Sequence, residues 1–159
     1  MISQAIPVLA FAGAIGSALV AGVFFAFSSF VMAALSRLSP EQGIAAMQSI
    51  NITVINAWFM LAFLGTGAVC VALAAGSYAL WGQAGAVATL AASLIYLAGC
   101  IGVTMVCNVP LNEALAASST GTPDAVALWS RYLTEWTFWN TVRTVATLAS
   151  AILFTLALI

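Results

Sequence analysis

Long apolar runs dominate this chain, and only short polar breaks separate them. The first run, Ile6–Leu35, contains no charged side chain and is longer than the roughly 20 residues that cross a bilayer as a helix. No basic region precedes it, and it exceeds the apolar part of a signal peptide, so a membrane helix is expected. Three further helices are predicted at Pro40–Leu80, Gln83–Cys107 and Pro123–Ile159. The pattern therefore predicts an all-α protein, with four transmembrane helices in one domain that covers residues 1–159.

Two of the predicted helices are longer than a bilayer requires. Ser39, Pro40 and Gln42 have the spacing of a capping box with proline in the first turn, which places the start of the second helix there. Its apolar part is confined to Ala57–Leu80, and that of the fourth helix to residues 137–159. As continuous helices both would be about twice the ~30 Å thickness of the hydrocarbon core. Helices 2 and 4 are therefore expected to extend beyond the bilayer on one side.

Small side chains recur along the first helix at a spacing that favours close helix contact in lipid. The main series is Ala10, Ala14, Ala18, Gly22 and Ala26, with Gly13, Ser17 and Ala21 beside it. Packing against a neighbouring helix is the expected role of this face. Val20, outside the main series, is expected to face lipid.

A polar and aromatic stripe marks the fourth helix. At 100° per residue, Trp129, Tyr132, Trp136, Asn140 and Arg143 fall within roughly 80° of one another. Since a lipid-facing surface does not carry Asn and Arg, this face is predicted to point into the protein, and further positions continue it along the helix. These are Thr147, Ser150 and Phe154.

Composition narrows the class further. The chain is 64% hydrophobic and 4% charged, whereas soluble domains carry about 25% charged residues. A net charge of −1 with three Arg and Lys residues in total excludes the basic surface of a nucleic-acid-binding protein. With no histidine and no CxxC pair, Cys70, Cys100 and Cys107 are expected to be unpaired thiols, and no metal site is predicted.

Charge is also distributed unevenly along the predicted topology. Every charged side chain falls at the end to which helices 2 and 4 extend: Arg37, Glu41, Glu113, Asp124, Arg131, Glu135 and Arg143. The positive-inside rule places this end in the cytoplasm and both termini outside. The expected location is a bacterial inner membrane, and the chain does not predict an oligomeric state.

Four motifs in order resemble one known family. They are GVFFAFSSFVMAAL at Gly22–Leu35, PEQGIAAMQSIN at Pro40–Asn51, CNVPLNEAL at Cys107–Leu115, and the spaced W…Y…W…WN…R of Trp129–Arg143. Together they resemble the anthrone oxygenase-like family of small four-helix membrane proteins. The resemblance implies a membrane bundle whose partners are the lipid bilayer and a hydrophobic, aromatic small molecule. Some members are similar to oxygenases that convert anthrones to anthraquinones without metal or flavin, so no cofactor is expected.

Such chemistry needs a flat apolar slot, donors for an enolate oxygen, and a base. Arg143 and Asn140 are the expected donors, and Glu135 and Glu113 are the carboxylate candidates for the base. The ligand-binding side chains are expected on helices 2 and 4 and in the predicted loop Asn108–Asp124 between helices 3 and 4. They are Gln48, Asn51, Asn108, Asn112, Trp129, Tyr132, Trp136 and Trp139.

Each of these positions also has a structural alternative. Arg143 would then pair with Glu113, and Glu135 would form a solvated i,i+4 pair with Arg131. Trp129 and Trp139 would lie in an interfacial belt, and the amides would cap or bridge helices. At the level of function, the alternative to an oxygenase is a non-enzymatic membrane carrier or scaffold. A channel is disfavoured, because no ring of charges follows a membrane-spanning path.

Overall fold

A computed structural model describes residues 2–79, 81–82 and 85–159. Within them the chain forms five helices, each named here in chain order. Helix α1 covers residues 2–35, α2 is Pro40–Thr53, α3 covers residues 57–79, α4 is Ala86–Ala117, and α5 is Pro123–Leu156. The predicted end of the second helix at Leu80 and start of the third at Gln83 lie outside the described residues.

Three helices are long and apolar enough to cross a membrane: Ala5–Leu35, Ala57–Ser77 and Ala86–Ala117. This finding supports the prediction of an integral membrane protein. The polar stripe and the charged residues of its first half lower the hydropathy of α5, so a fourth crossing stays a prediction. All the described secondary structure is helical, as predicted, but the helices number five rather than four.

The four longer helices contact one another in the order α1–α5–α4–α3, and α3 returns to α1. The shorter α2 packs on the end of α4 and the beginning of α5. Two apolar clusters result. The first contains Phe24, Phe63 and Phe154, and the second, under α2, contains Ile44, Met47 and Trp129. The polar stripe of α5 runs past both of them.

Asn56 divides what the pattern predicts as one helix from Pro40 to Leu80. Its backbone is extended, with φ −122° and ψ 162°, and its side chain caps α3 by accepting from the backbone N–H groups of Trp58 and Phe59, each at 3.1 Å. An Asn at this position offers the backbone an alternative to a continuous helix. The break separates α2 from α3, and α2 then packs over the end of the bundle.

The third predicted helix does not end at Cys107, although Pro110 follows three residues later. The helix continues to Ala117 because its turns widen into a π-helical segment at Thr104–Asn108, where Val109 N–H donates to Thr104 O. Pro110 then lies in the first turn of the following α-helical segment, where its missing N–H costs little. Part of the predicted loop, including Asn112 and Glu113, is therefore helical.

The packing face of α1 agrees with the predicted one in part: Ala10 of the main series is buried, but Ala18 and Gly22 further along it are not. Val20 is 1% exposed, whereas Ala18 and Gly22 are exposed and a Cβ at Gly22 would meet no atom within 4 Å. The neighbouring series of Gly13, Ser17 and Ala21 is buried instead. Small residues occur on several sides of α1, so spacing alone could not identify the buried side. By contrast, the predicted capping box is confirmed, because Ser39 and Gln42 bond each other's backbone N–H at 3.4 Å.

Candidate functional site

The predicted stripe on α5 faces the interior along its full length. Trp129, Tyr132, Trp136, Asn140 and Arg143 are all buried. Thr147, Ser150 and Phe154 continue the buried face toward the end of the helix. The prediction from helical spacing is therefore confirmed, including the burial of an arginine that is only 5% exposed.

A cavity of about 330 Å³ lies beside the part of this stripe from Trp136 to Arg143. Its walls are mostly apolar, and its polar groups come from Asn51, Thr104, Asn112, Trp136 and Arg143. The apolar lining comes from α1, α2, α3, α4 and the turn that joins α2 to α3: Val23, Phe24, Phe27, Met47, Ile50, Val54, Ile55, Phe59, Met60, Phe63, Leu64, Met105 and Val109. A small set of polar groups within an apolar wall is typical of a ligand pocket.

Widened helical turns occur at the level of this cavity on three helices. The π-helical segments Phe27–Val31, Leu61–Gly65 and Thr104–Asn108 each contribute at least one lining residue. Such bulges are frequent at functional sites, because they change the direction of side chains and loosen the helix locally. A fourth segment of this kind, Leu97–Gly102, lies outside the lining, so three of the four described segments coincide with the cavity and support it as the functional region.

Arg143 is held without a carboxylate partner. Its Nη1 donates to Thr104 Oγ1 at 3.1 Å, and its Nη2 donates to Asn140 Oδ1 at 2.8 Å. The guanidinium carbon lies 4.1 Å from the ring centroid of Phe24 and 5.3 Å from that of Trp136, within cation–π distance. Arg143 Nε is buried and makes no hydrogen bond in the structure. The cation keeps unused donors beside the cavity.

Asn140 orients the arginine and does not itself line the cavity. Its Nδ2 donates to the backbone oxygen of Phe24 and to Ser28 Oγ, both at 2.7 Å, while its Oδ1 accepts from Arg143. These bonds tie α5 to α1 and direct the guanidinium. The sequence predicted Asn140 as a direct donor to the ligand, whereas the structure places it behind Arg143.

Trp129, Tyr132 and Trp136 form a ladder of nearly parallel rings. The centroids are 5.8 Å and 5.6 Å apart, at interplanar angles of 18° and 14°. Only Trp136 of the three lines the cavity. Asn112 Oδ1 accepts from Tyr132 Oη at 2.7 Å and from Trp136 Nε1 at 2.8 Å, and burial raises the pKa of Tyr132, which keeps its hydroxyl protonated. Asn112 thereby fixes the orientation of the cavity-lining indole.

Four other predicted ligand-binding residues lie outside the cavity lining. Trp129 packs on Gly43, where an added Cβ would lie 2.7 Å from its ring, and Trp139 makes an edge contact with Phe138 at 5.1 Å. Gln48 Nε2 donates to Leu115 O at 2.8 Å, and Asn108 Nδ2 donates to Trp136 O at 3.2 Å. The two amide contacts join helices, as their structural alternative expects, and Trp129 is buried against α2 rather than exposed in an interfacial belt.

Both candidate carboxylates are exposed. Glu135 pairs with Arg131 at 2.9 Å, which lowers the pKa of Glu135 and raises that of Arg131 through the hydrogen bond between them. Glu113 is exposed on α4, and within the described chain the Arg131–Glu135 pair is the one salt bridge. The alternative in which Glu113 pairs with Arg143 is therefore not observed. Arg143 is the one charged group that lines the cavity.

Sequence reasoning missed Phe24 and Thr104, which contact the guanidinium directly. Phe24 lies in a uniformly apolar run and carried no signal. Thr104 carried a weak signal, since it precedes Asn108 by four residues and Asn112 by eight, a spacing that keeps the three near one face of a helix.

In the described part of the chain, no group of three His, Cys, Asp or Glu side chains could hold a metal ion.

A family model described as anthrone oxygenase matches residues 58–153. That range includes α3, α4 and most of α5, and with them Thr104, Asn112, Trp136 and Arg143. The cavity walls from α1 and α2 lie before it. No curated protein and no solved structure matches the chain.

Proposed function

The chain belongs to the anthrone oxygenase family, and we propose that it is a membrane-embedded oxygenase acting on a hydrophobic, anthrone-like aromatic molecule. The ligand occupies the cavity beside α5, with its ionisable oxygen toward Arg143 and its rings against the wall to which Phe24, Phe27 and Trp136 contribute. The cavity volume of about 330 Å³ suits a flat ligand of about three fused rings. Asn140 and Thr104 keep the guanidinium in place.

One observation carries this proposal: the buried charge of Arg143 has no carboxylate to neutralise it. A buried cation without a partner is costly, and it persists when it has a task. Here its spare donors lie beside an apolar cavity, where an oxyanion would be bound far more strongly than in water. The enolate of an anthrone is such an anion, because removal of one C–H proton places the negative charge on the ring oxygen.

The proposed reaction is balanced with O₂ as the oxidant. Conversion of the anthrone CH₂ group to a carbonyl removes four electrons and two protons, and O₂ accepts those electrons. One oxygen atom becomes the new carbonyl, and the other leaves as water with the two hydrogens. The proposed reaction therefore consumes one O₂ for each anthrone and needs no separate reductant.

The proton step differs from the sequence expectation. Glu113 and Glu135 are exposed and outside the cavity lining, so we assign neither of them the role of base. Arg143 instead lowers the free energy of the enolate, and water takes the proton. The rate should then rise with pH, following ionisation of the ligand rather than of an enzyme carboxylate.

The cavity also opens on the outer surface of the protein. Three lining residues are largely exposed: Ile55 at 71%, Met105 at 60% and Leu64 at 54%. Since α3 and α4 are both suited to cross a membrane, this opening supports arrival of the ligand from the bilayer. An apolar ligand dissolved in lipid would reach it without crossing water.

Oxygen consumption by the purified protein tests the activity. In detergent or liposomes, addition of anthrone should give O₂ uptake in a one-to-one ratio with quinone formation. With isotopically labelled O₂, one labelled atom should appear in the new carbonyl and one in water. Metal analysis of the same sample accompanies the assay, and activity proportional to bound iron or copper would contradict the cofactor-free reaction.

The carrier alternative predicts a different result. Anthrone would bind and equilibrate across liposomes faster than in empty vesicles, while O₂ uptake stayed at the uncatalysed rate. That outcome would reject the oxygenase proposal and retain the cavity as a binding site.

We further propose that the charged end of the protein faces the cytoplasm, with both termini outside. The distribution of arginines supports this orientation. Trp81 and Ser119 are both exposed and belong to opposite predicted ends. In a background with Cys107→Ser, a thiol introduced by Ser119→Cys should react from the cytoplasmic side and one introduced by Trp81→Cys from outside. The reverse labelling would overturn the orientation.

A further inference from the structure

Two amide side chains, Asn51 and Asn112, line the cavity. The NH₂ group of Asn112 and the amide oxygen of Asn51 are each left without a hydrogen bond to the described residues. For Asn112 the orientation follows from its partners. Trp136 Nε1 can only donate, so the Asn112 atom 2.8 Å from it is the oxygen, and Tyr132 Oη reaches the same atom at 2.7 Å. Both lone pairs of Asn112 Oδ1 are then used. Its Nδ2 makes no hydrogen bond to the described residues, so it keeps two donors.

The orientation of Asn51 follows from that of Tyr132. A tyrosine hydroxyl has one hydrogen, and the short bond to Asn112 uses it. The oxygen of Tyr132 must therefore accept from Asn51, whose Nδ2 lies 3.4 Å away. Asn51 Oδ1 remains an acceptor without a hydrogen bond in the described part of the chain.

We propose that Asn112 Nδ2 and Asn51 Oδ1 form a subsite for a hydroxyl group on the ligand. A hydroxyl both accepts and donates, so it accepts from Asn112 and donates to Asn51 at the same time. The inference rests on the proposed function, in that an aromatic ligand fills the cavity, and it deepens that function. The ligand class becomes a hydroxylated aromatic molecule with its ionisable oxygen at Arg143 and a separate hydroxyl at the two amides.

The bonds from α5 make this subsite selective. Rotation of the Asn112 amide would place its NH₂ group against the Trp136 N–H and lose that hydrogen bond, so Oδ1 stays toward α5 and Nδ2 keeps its donors free for a ligand. A ligand with no oxygen at this position leaves both amide groups without a partner. A ligand with a methoxy group satisfies Asn112 and leaves Asn51 unpaired. Binding should therefore fall from the hydroxylated to the methoxylated to the unsubstituted molecule.

The test compares three ligands: anthrone, anthrone with a hydroxyl on an outer ring, and the corresponding methoxy compound. Affinity is measured without oxygen, through quenching of tryptophan fluorescence, with a range of ring positions for the substituent. The wild-type protein should bind the best hydroxyl isomer about tenfold more tightly than its methoxy counterpart, which corresponds to about 1.4 kcal/mol.

Two variants separate the halves of the subsite. Asn112→Asp keeps an oxygen that accepts from Tyr132 and Trp136 but replaces the free donor by an acceptor. Binding of the methoxy compound should therefore weaken relative to that of anthrone. Binding of the hydroxyl compound should not weaken, because its hydroxyl can donate to the new acceptor. Asn51→Leu removes the acceptor and leaves the bonds of Asn112 intact, so the preference for hydroxyl over methoxy should disappear. Affinities are expressed relative to anthrone within each variant, which cancels effects of the added charge on the enolate.

The outcomes distinguish this inference from the proposed function. If the wild-type protein binds all three ligands with equal affinity, or if both variants keep its order of preference, the subsite is wrong while the cavity stands. If the wild-type protein binds none of the three, the proposed function is overturned together with the subsite.

Discussion

The part of α5 up to Arg143, here called the upper half, and the part after it, the lower half, both bury polar side chains but satisfy their hydrogen-bonding groups differently. In the lower half, Ser150 Oγ donates to Ala92 O at 2.9 Å and lies 3.3 Å from Ser17 Oγ, and Thr147 Oγ1 donates to Arg143 O at 2.7 Å. In the upper half, Arg143 Nε and Thr137 Oγ1 are buried without hydrogen-bond partners, as is Asn108 Oδ1 on α4. The one other such atom among the described residues is Ser77 Oγ on α3. Because unsatisfied buried groups are costly, the upper half is poorly explained by stability alone.

The apolar side chains around the two halves repeat this contrast. The lower cluster, the first of the two apolar clusters, contains Val20, Leu73 and Phe154 and reaches the cavity at Phe24 and Phe63. The upper region has the cavity, three of the four described π-helical segments and the arginine. The comparison indicates that the lower half stabilises the helix bundle, while the upper half is packed less densely because it borders the cavity. Substitutions in the two halves should therefore affect different measurements.

The largest effect is expected at Arg143. Arg143→Met should reduce anthrone-dependent O₂ uptake by about 100-fold or more, as for removal of an oxyanion donor. Arg143→Lys should also lose most activity, because an ammonium group cannot reproduce the planar donor fork. The melting temperature in detergent should stay unchanged or rise for Arg143→Met, since the desolvation cost of the charge is removed.

Arg131→Met is the matched control, because it makes the same substitution at an exposed position of the same helix. It should change neither activity nor melting temperature appreciably. If Arg143→Met lowered activity and melting temperature in parallel, the arginine would be structural, and the contrast between the two halves of α5 would fail.

A smaller effect, on stability rather than function, is expected at Val20. Val20→Ala removes buried methyl groups from the lower cluster and should lower the free energy of unfolding by about 2 kcal/mol. The affinity for anthrone should stay within about twofold, because Val20 does not line the cavity. Leu19→Ala, at the exposed neighbour, is the control. Equal destabilisation by both changes would mean that the buried face of α1 is assigned incorrectly.

The smallest effects are expected at the two exposed carboxylates. Glu113→Gln and Glu135→Gln should each change O₂ uptake by less than about twofold, and the pH profile of either variant should overlay that of the wild-type protein. Glu135 has a lowered pKa through Arg131, so it is ionised throughout the neutral range and contributes no titration there. Loss of most activity in either variant would identify that residue as the base, as the sequence first suggested.

The sequence by itself determined the membrane class, the positions of most helices and the buried stripe of α5. These follow from composition and from helical periodicity, which are local properties: an arginine and an asparagine aligned with three aromatic residues cannot face lipid. The motifs were also sufficient for the family resemblance. The capping box at Ser39 was predictable for the same reason, since its partners lie three residues apart.

Only the tertiary structure decided which polar residues form the site. Asn140 faces Phe24 and Ser28 across the bundle, Thr104 reaches Arg143 from another helix, and the carboxylates lie outside, because helix rotation is set by packing against all neighbours at once. The π-helical turns shift that rotation partway along a helix, which no regular period anticipates. Packing against all neighbours also decides that Val20 and Ala21, rather than Ala18 and Gly22, are buried in α1.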